Sequence, residues 1–381
     1  MLRIVIIGLS LILLSIIIIY FNNEKNNNDK KSSFIEITSV LSDNNDTIFK
    51  KALDKRIFEF PDDFKPKTDF RNEWWYFTGN LETKDGRQFG YQFTIFRNSL
   101  SLKKSSKNQW ESNEIYMSHF AITDIEKNTF YSFEKISRAL NPLASFDSLE
   151  QKINVENSYF TFNHNPFNNQ TNFEINAIGE DIELSLSLES QKPIVLQGDE
   201  GLSKKSATVG NASYYFSITK LKTSGKIKIK GQEFYLMGYS WFDREWSTSS
   251  LDSNQIGWDW FSLQLENNYE IMFYALRNKD GSFDEFSSGT IVNPEGKYQR
   301  IALEQIQLQV TDFWKSPEER KYPSGWIMKI PEQNIRLEIE PVIKNQEHKL
   351  SFRYWEGAVR FKGTFNGKNV KGKGYIELTC Y

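Results

Sequence analysis

The chain has 381 residues, 39% hydrophobic and 25% charged, with 15% aromatics and a formal net charge of −2. That length holds two domains of ordinary size, and the near-neutral balance leaves no broad basic field to recruit nucleic acid. One cysteine, Cys380, excludes an internal disulfide, and with His119, His164 and His348 as the other soft ligands a Cys/His zinc site is not expected. The chain opens with Arg3 and an apolar run over residues 4–19, then Tyr20 and Phe21. The run is apolar on every side, long for a signal core and slightly short for a span. No Ala-x-Ala site follows it. Residues 1–21 are therefore expected to be an uncleaved signal-anchor, N-terminus inside, with the folded part in the cell envelope outside the cytoplasmic membrane. A cleaved signal peptide, giving a secreted protein, is the alternative. Residues 22–55 begin Asn-, Lys- and Asp-rich and are expected to form a disordered tether, with a short helix as a candidate within 35–53.

Residues 56–248 alternate large apolar with small or polar side chains, as in Phe89-Gly-Tyr-Gln-Phe-Thr-Ile-Phe96 and Ile182-Glu-Leu-Ser-Leu-Ser-Leu188, which predicts strands. Short helices are candidates within 133–140 and 145–150. Residues 249–381 follow the same plan at shorter length. Trp258-Asp-Trp-Phe-Ser-Leu-Gln-Leu-Glu266 echoes Trp74-Trp-Tyr-Phe-Thr-Gly-Asn-Leu-Glu82, and Gly374-Tyr375 echoes Gly238-Tyr239. Opening and closing hairpins recur in the same order, so the chain is a tandem repeat of one β domain. Gly238-Tyr-Ser-Trp-Phe-Asp-Arg-Glu-Trp246 and Gly257-Trp-Asp-Trp-Phe261 form the seam between the copies.

Four stretches carry a family resemblance: Asn72-Glu-Trp-Trp-Tyr-Phe-Thr-Gly-Asn-Leu81, Met117-Ser-His-Phe-Ala121, Gly238-Tyr-Ser-Trp-Phe-Asp-Arg-Glu-Trp246 and Tyr354-Trp-Glu-Gly-Ala-Val359. Over roughly residues 56–381 the chain resembles the AttH/CrtC family of AttH-like envelope proteins and carotenoid 1,2-hydratases, and it is more similar to the AttH branch. The resemblance implies an all-β fold of two tandem lipocalin-like antiparallel barrels, at 56–248 and 249–381. It also implies one of two functions. The first is a membrane-tethered protein binding a lipid or isoprenoid-like molecule, as an accessory to an envelope ABC transporter. The second is a cofactor-independent hydratase that adds water to an isoprenoid C=C.

Strand alternation sorts the chemistry-bearing residues. Trp241, Asp243 and Glu245 share one face, opposite Phe242, Arg244 and Trp246. Glu73, Trp75 and Phe77 lie opposite Trp74 and Tyr76, and Asp259 lies opposite Trp258 and Trp260. A carboxyl buried beside aromatics keeps its proton near neutral pH and can act as a general acid. Asp243 is the first candidate and Asp259 the second, with His119 to relay or orient the proton. The alternative is structural: Asp243, Glu245 and Glu73 pair with Arg244, Arg97 or Arg360. Trp75, Tyr76, Trp241, Trp246, Trp258 and Trp260 are candidates for lining an apolar pocket inside a barrel or at its rim. There is no nucleophile elbow, no phosphate-cradling glycine loop and no metal-ligand spacing, so neither a cofactor nor a metal is expected.

Overall fold

Strands β1 (Asn72–Glu82), β2 (Gln88–Ser99), β3 (Glu114–Asp124), β4 (Thr129–Arg138), β5 (Ala144–Asp147), β6 (Lys152–Val155), β7 (Ser158–Asn165), β8 (Gln170–Ile178), β9 (Ile182–Ser190), β10 (Val195–Leu196), β11 (Leu202–Lys204), β12 (Ala212–Ile229) and β13 (Gln232–Ser247) form one antiparallel sheet. Strands β14 (Gln255–Leu265), β15 (Glu270–Asn278), β16 (Ser288–Val292), β17 (Tyr298–Ala302), β18 (Gln307–Lys315), β19 (Lys321–Ile330), β20 (Ile335–Pro341), β21 (Glu347–Lys349), β22 (Arg353–Phe365) and β23 (Lys368–Thr379) form the second. The computed structural model describes residues 49–101, 112–248 and 251–381, all within one compact unit. The expected membrane segment and most of the tether lie outside the described residues. Residues 49–52, which the expected tether would include, pack on the folded part: Phe49 and Ala52 are buried and Thr248 Oγ1 donates to the Lys50 carbonyl.

Strand order states the repeat. The path β4-β3-β2-β1-β13-β12-β9-β8-β7 in the first sheet is matched by β17-β16-β15-β14-β23-β22-β20-β19-β18 in the second. Trp74 and Trp258 take equivalent places on β1 and β14, as their echo predicts. The closing hairpins correspond two residues away from the expected alignment. Gly79 on β1 pairs Ser240, and its equivalent Leu263 on β14 pairs Gly374, so Gly374 matches Ser240 and not Gly238. Two helix candidates are corrected. Residues 133–138 belong to β4, whose β-branched and aromatic side chains pair along β3. Residues 145–147 belong to β5, and the Asp147 carboxylate then accepts from the amides of Leu149 and Glu150 to make a turn.

Each sheet curls around its own apolar core. In the first, Phe77, Phe173 and Phe242 meet at centroid distances of 4.7–5.2 Å, and Phe64 closes one end against Phe162, Phe173 and Phe216. In the second, Phe261 meets Trp326 edge-on at 5.8 Å. Strands far from the seam, such as β9, alternate buried with exposed residues, since one face meets solvent. At the seam this alternation disappears. Every residue of β16 is buried, and so is all of β15 except its last, because both faces are covered. A third apolar cluster, with Tyr76, Trp241, Trp260 and Tyr375, lies between the sheets. Gln346 clamps the seam. Its amide bonds the backbone of Ala358 and its Oε1 accepts from Thr123 of the first sheet at 2.7 Å. Gly357 makes room for it, since a Cβ there would lie 2.2 Å from the Gln346 side chain.

Candidate active site at the seam

A cavity of ≈ 140 Å³ opens between the two sheets, lined by both. The barrel interiors are filled by their own cores, so the expected pocket is found between the barrels and not within one. The repeat builds its walls in matched pairs. Tyr76 is register partner of Asp243, as Trp260 is of Glu377. Asp243 in turn faces Ser217 on β12, as Glu377 faces Glu356 on β22. Tyr215 and Tyr354 are a further equivalent pair. Trp74, Phe96, Trp258, Tyr274 and Phe352 complete an aromatic lining into which Asp243, Glu245, Glu356 and Glu377 project.

Desolvation governs these carboxyls. Glu356 is fully enclosed and accepts from Tyr76 Oη; burial, with the Glu377 charge beside it, pushes its carboxyl well above the usual range. Glu377 accepts from Trp258 Nε1 at 3.1 Å, and burial raises it to about 7. Directly opposed side chains on one face of an antiparallel pair have Cβ atoms about 4.5–5.5 Å apart. Glu356 and Glu377 are such a pair, side by side on β22 and β23. Asp243 is also raised by burial, to about 7, against three opposing donors: Ser217 Oγ at 2.5 Å, Tyr215 Oη at 2.7 Å and Trp241 Nε1 at 2.7 Å. Glu245 pairs with buried Lys205 at 3.1 Å. The ammonium lies 4.2 Å from the Tyr274 ring centroid. Burial alone would lower Lys205, but the charge and hydrogen bond of Glu245, with Tyr274 and Asp243 beside them, together outweigh it and the ammonium is raised.

Of the residues proposed from sequence, Asp243, His119, Tyr76, Trp258 and Trp260 line the cavity. Trp241 stands behind it, bonding Asp243 and meeting Trp260 edge-on. Asp259 does not face it. It accepts from Tyr381 Oη at 2.9 Å and pairs with Arg277 at 2.9 Å on the opposite face of β14. Trp75 and Trp246 also point away, into the first core, where the Arg244 guanidinium lies over both rings at 4.1 and 4.9 Å. The expected arginine pairing holds for Glu73 alone of the three acids. Both its oxygens are bridged by Arg97 and Arg244, all three side chains fully buried. Asp243 takes neutral donors instead, Glu245 takes Lys205, and Arg360 pairs with exposed Glu340. His348, on β21, is buried and stacked on Tyr354 at 4.4 Å. Glu377, Lys205 and Tyr215 are site residues that the sequence reading missed.

These raised carboxyls fix the sign of a pH effect. Asp243 and Glu377 titrate near 7 in the folded protein and near 4 in the unfolded chain. Between those values the native state holds protons that the unfolded state has released, so stability falls as pH rises through that window. The melting temperature is expected to drop by several degrees between pH 5 and pH 8. Thermal melts check this, and Asp243→Asn should flatten part of the slope.

Comparison with known proteins agrees with this architecture. The family model described as AttH-like matches residues 51–381. A protein of Nitrosomonas europaea assigned as an AttH is 30% identical, with a TM-score of 0.75, covering 87% of this chain and 100% of that one. Kievitone hydratase of Fusarium solani subsp. phaseoli is 21% identical over 212 residues, 53% of this chain and 58% of the relative. Dehydratase asqC of Emericella nidulans is 19% identical over 221 residues, 55% of this chain and 62% of the relative. The chain thus matches about three fifths of the length of these two curated relatives. Because the family match runs unbroken from the first buried strap through both sheets, the chain belongs to the AttH-like family.

Proposed function

We propose that the protein adds water to, or removes it from, a carbon–carbon double bond of an apolar, isoprenoid-like substrate held in the seam cavity. The opposed pair Glu356 and Glu377 carries this reading: two carboxyls share one aromatic cavity and are raised to different degrees. The relatives named hydratase and dehydratase support it. Glu356 gives its proton to one alkene carbon, and the π electrons form the new C–H bond. The tertiary cation left behind faces the π systems of Trp258, Trp260 and Tyr354. Water then forms the C–O bond and loses a proton to the Glu377 carboxylate. Transfer from Glu377 back to Glu356 resets the pair. Every step uses side chains of this chain.

The test is incubation with geraniol and 2-prenylphenol in oxygen-18 water. Incorporation of one labelled oxygen is expected, and no label in either substrate counts against the reaction. Asp243→Asn is expected to keep turnover within about tenfold, since the acid lies elsewhere. Its melting temperature should fall, because an amide cannot accept from all three donors that Asp243 satisfies. The second reading, a carrier that holds an apolar ligand without turnover, is favoured by the breadth of the aromatic lining. It predicts a lipid or isoprenoid that copurifies by mass spectrometry and no oxygen-18 product.

A further inference from the structure

Behind the cavity, a line of side chains runs from Glu356 towards solvent. Tyr354 and Glu356 stand two residues apart on one face of β22 and both line the cavity; the Tyr354 hydroxyl lies 2.7 Å from His119 Nδ1, and His119 Nε2 lies 3.0 Å from Glu134 Oε1. Glu134 is not among the lining residues. It accepts from the Ser351 amide at 3.2 Å and from the Ser351 hydroxyl. Burial works against its charge, but the bonds from His119 and Ser351 outweigh it, and the carboxyl is held below the ordinary glutamate range.

Hydrogen counting gives this line a direction. An ionised carboxylate only accepts, so the His119 Nε2 that meets Glu134 carries the ring hydrogen. In the imidazole form the ring has one such hydrogen, and Nδ1 is left as an acceptor. Its partner is the Tyr354 hydroxyl, whose single hydrogen is thereby committed to His119. Towards Glu356, Tyr354 can then only accept, and a hydrogen shared between the two belongs to Glu356. We propose that Glu134 is a positioning residue: it fixes the polarity of the chain Glu356 → Tyr354 → His119 → Glu134 and so keeps Glu356 a proton donor. The inference rests on the reading of Glu356 as the acid, and assigns it a control point outside the cavity. The other groups facing Glu356 do not reverse it. Tyr76 from β1 donates to the other side of the carboxyl. Glu377 from β23 raises it, and Tyr375 on the same strand is itself raised by burial and by the charge of Glu356. His348 from β21, 4.0 Å from Oε2, is held well below its ordinary range by burial and by His119, and brings no charge.

The test follows the carboxylic-acid stretch of Glu356 by difference infrared spectroscopy, assigned by its loss in Glu356→Gln. In the wild type the band is expected to persist through neutral pH. Glu134→Leu and His119→Phe each release the Tyr354 hydroxyl to donate to Glu356, which favours the ionised form. The titration midpoint should fall by about one pH unit, a tenfold gain in carboxylate. Adding Tyr354→Phe to Glu134→Leu removes that donor and should restore the midpoint, a reversal that loosened packing would not produce. Three results overturn the proposal: no such band at neutral pH, equal midpoints in the wild type and both single variants, or a lowered midpoint that survives Tyr354→Phe. The midpoint is read without substrate. Failure of geraniol and 2-prenylphenol to react would therefore sink the proposed reaction and leave this inference standing.

Discussion

Glu356→Gln is expected to lower kcat on the alkene substrates by about 10²- to 10⁴-fold, with the melting temperature at pH 7 unchanged or slightly raised. Glu356 is fully buried and its carboxyl is pushed far towards the neutral form, so an amide replaces a neutral group of nearly the same shape. Tyr76 still finds an oxygen to bond. What disappears is the transferable proton. Glu377→Gln should show the complementary loss, since the carboxylate that accepts the proton of water is gone. The split between the two readings of function is sharp here. A carrier would bind its ligand equally well with Gln at either position, because neither substitution changes the aromatic walls. Parallel measurements of oxygen-18 incorporation, ligand retention and thermal stability on the two variants separate the cases. Full activity in Glu356→Gln would remove it as the acid and return Asp243 to first place.

Much of this site was legible because strand alternation is local. The faces of β1, β13 and β14 follow from period two, and Asp243, Tyr76, Trp258 and Trp260 do project where alternation puts them. Which face meets which core is not local. Trp75 and Trp246 are as aromatic as their neighbours, yet they turn into the first barrel beneath Arg244. Asp259 sits in the same Trp-rich motif but faces Arg277. Glu356 was not weighed as an acid beside Asp243 from the sequence, although it stands in one of the stretches that carried the family resemblance. Its importance comes from contacts such as Tyr76 Oη to Glu356, 280 residues apart in sequence, which no local pattern encodes. One sequence signal did point to Glu377. Once the opening hairpins are aligned and the closing ones shifted by two residues, Glu377 falls on Asp243. The repeat thus held the pairing of the two halves, and the strand register was needed to read it.

Glu73 gives the largest expected loss of stability. It is fully buried on the core face of β1, and its two oxygens are divided between Arg97 and Arg244, with the Lys67 amide donating as well. The two guanidiniums do more than neutralise it. Arg97 Nη2 donates to the carbonyls of Lys67 and Phe70 at 2.9 and 2.8 Å, and Arg244 Nη2 donates to that of Lys65 at 2.9 Å. The network therefore ties the segment that carries Phe64 over the end of the first barrel to β1, β2 and β13. Removing the carboxylate leaves two buried arginines facing one another, and breaking one partner of a buried charge network costs about 3–5 kcal/mol. Glu73→Gln is expected to lose that much by urea denaturation. The pH dependence has the opposite sign to that of the cavity carboxyls. Burial opposes the Glu73 charge, but the two arginines outweigh it and hold the carboxyl below its ordinary value. Its contribution is present in full above the unfolded-state value near 4 and is lost as pH falls through the lower folded-state one. The wild type should thus lose stability on the acid side through Glu73 and on the neutral side through Asp243 and Glu377, with its maximum near pH 5. In Glu73→Gln the acid limb should flatten while the neutral limb keeps its slope. A variant as stable as the wild type at pH 7 would show that Arg97 and Arg244 find other counter-charges, and Glu114, already 3.0 Å from Arg97, and Asp63, now paired with Arg56 and Lys67, are where to look.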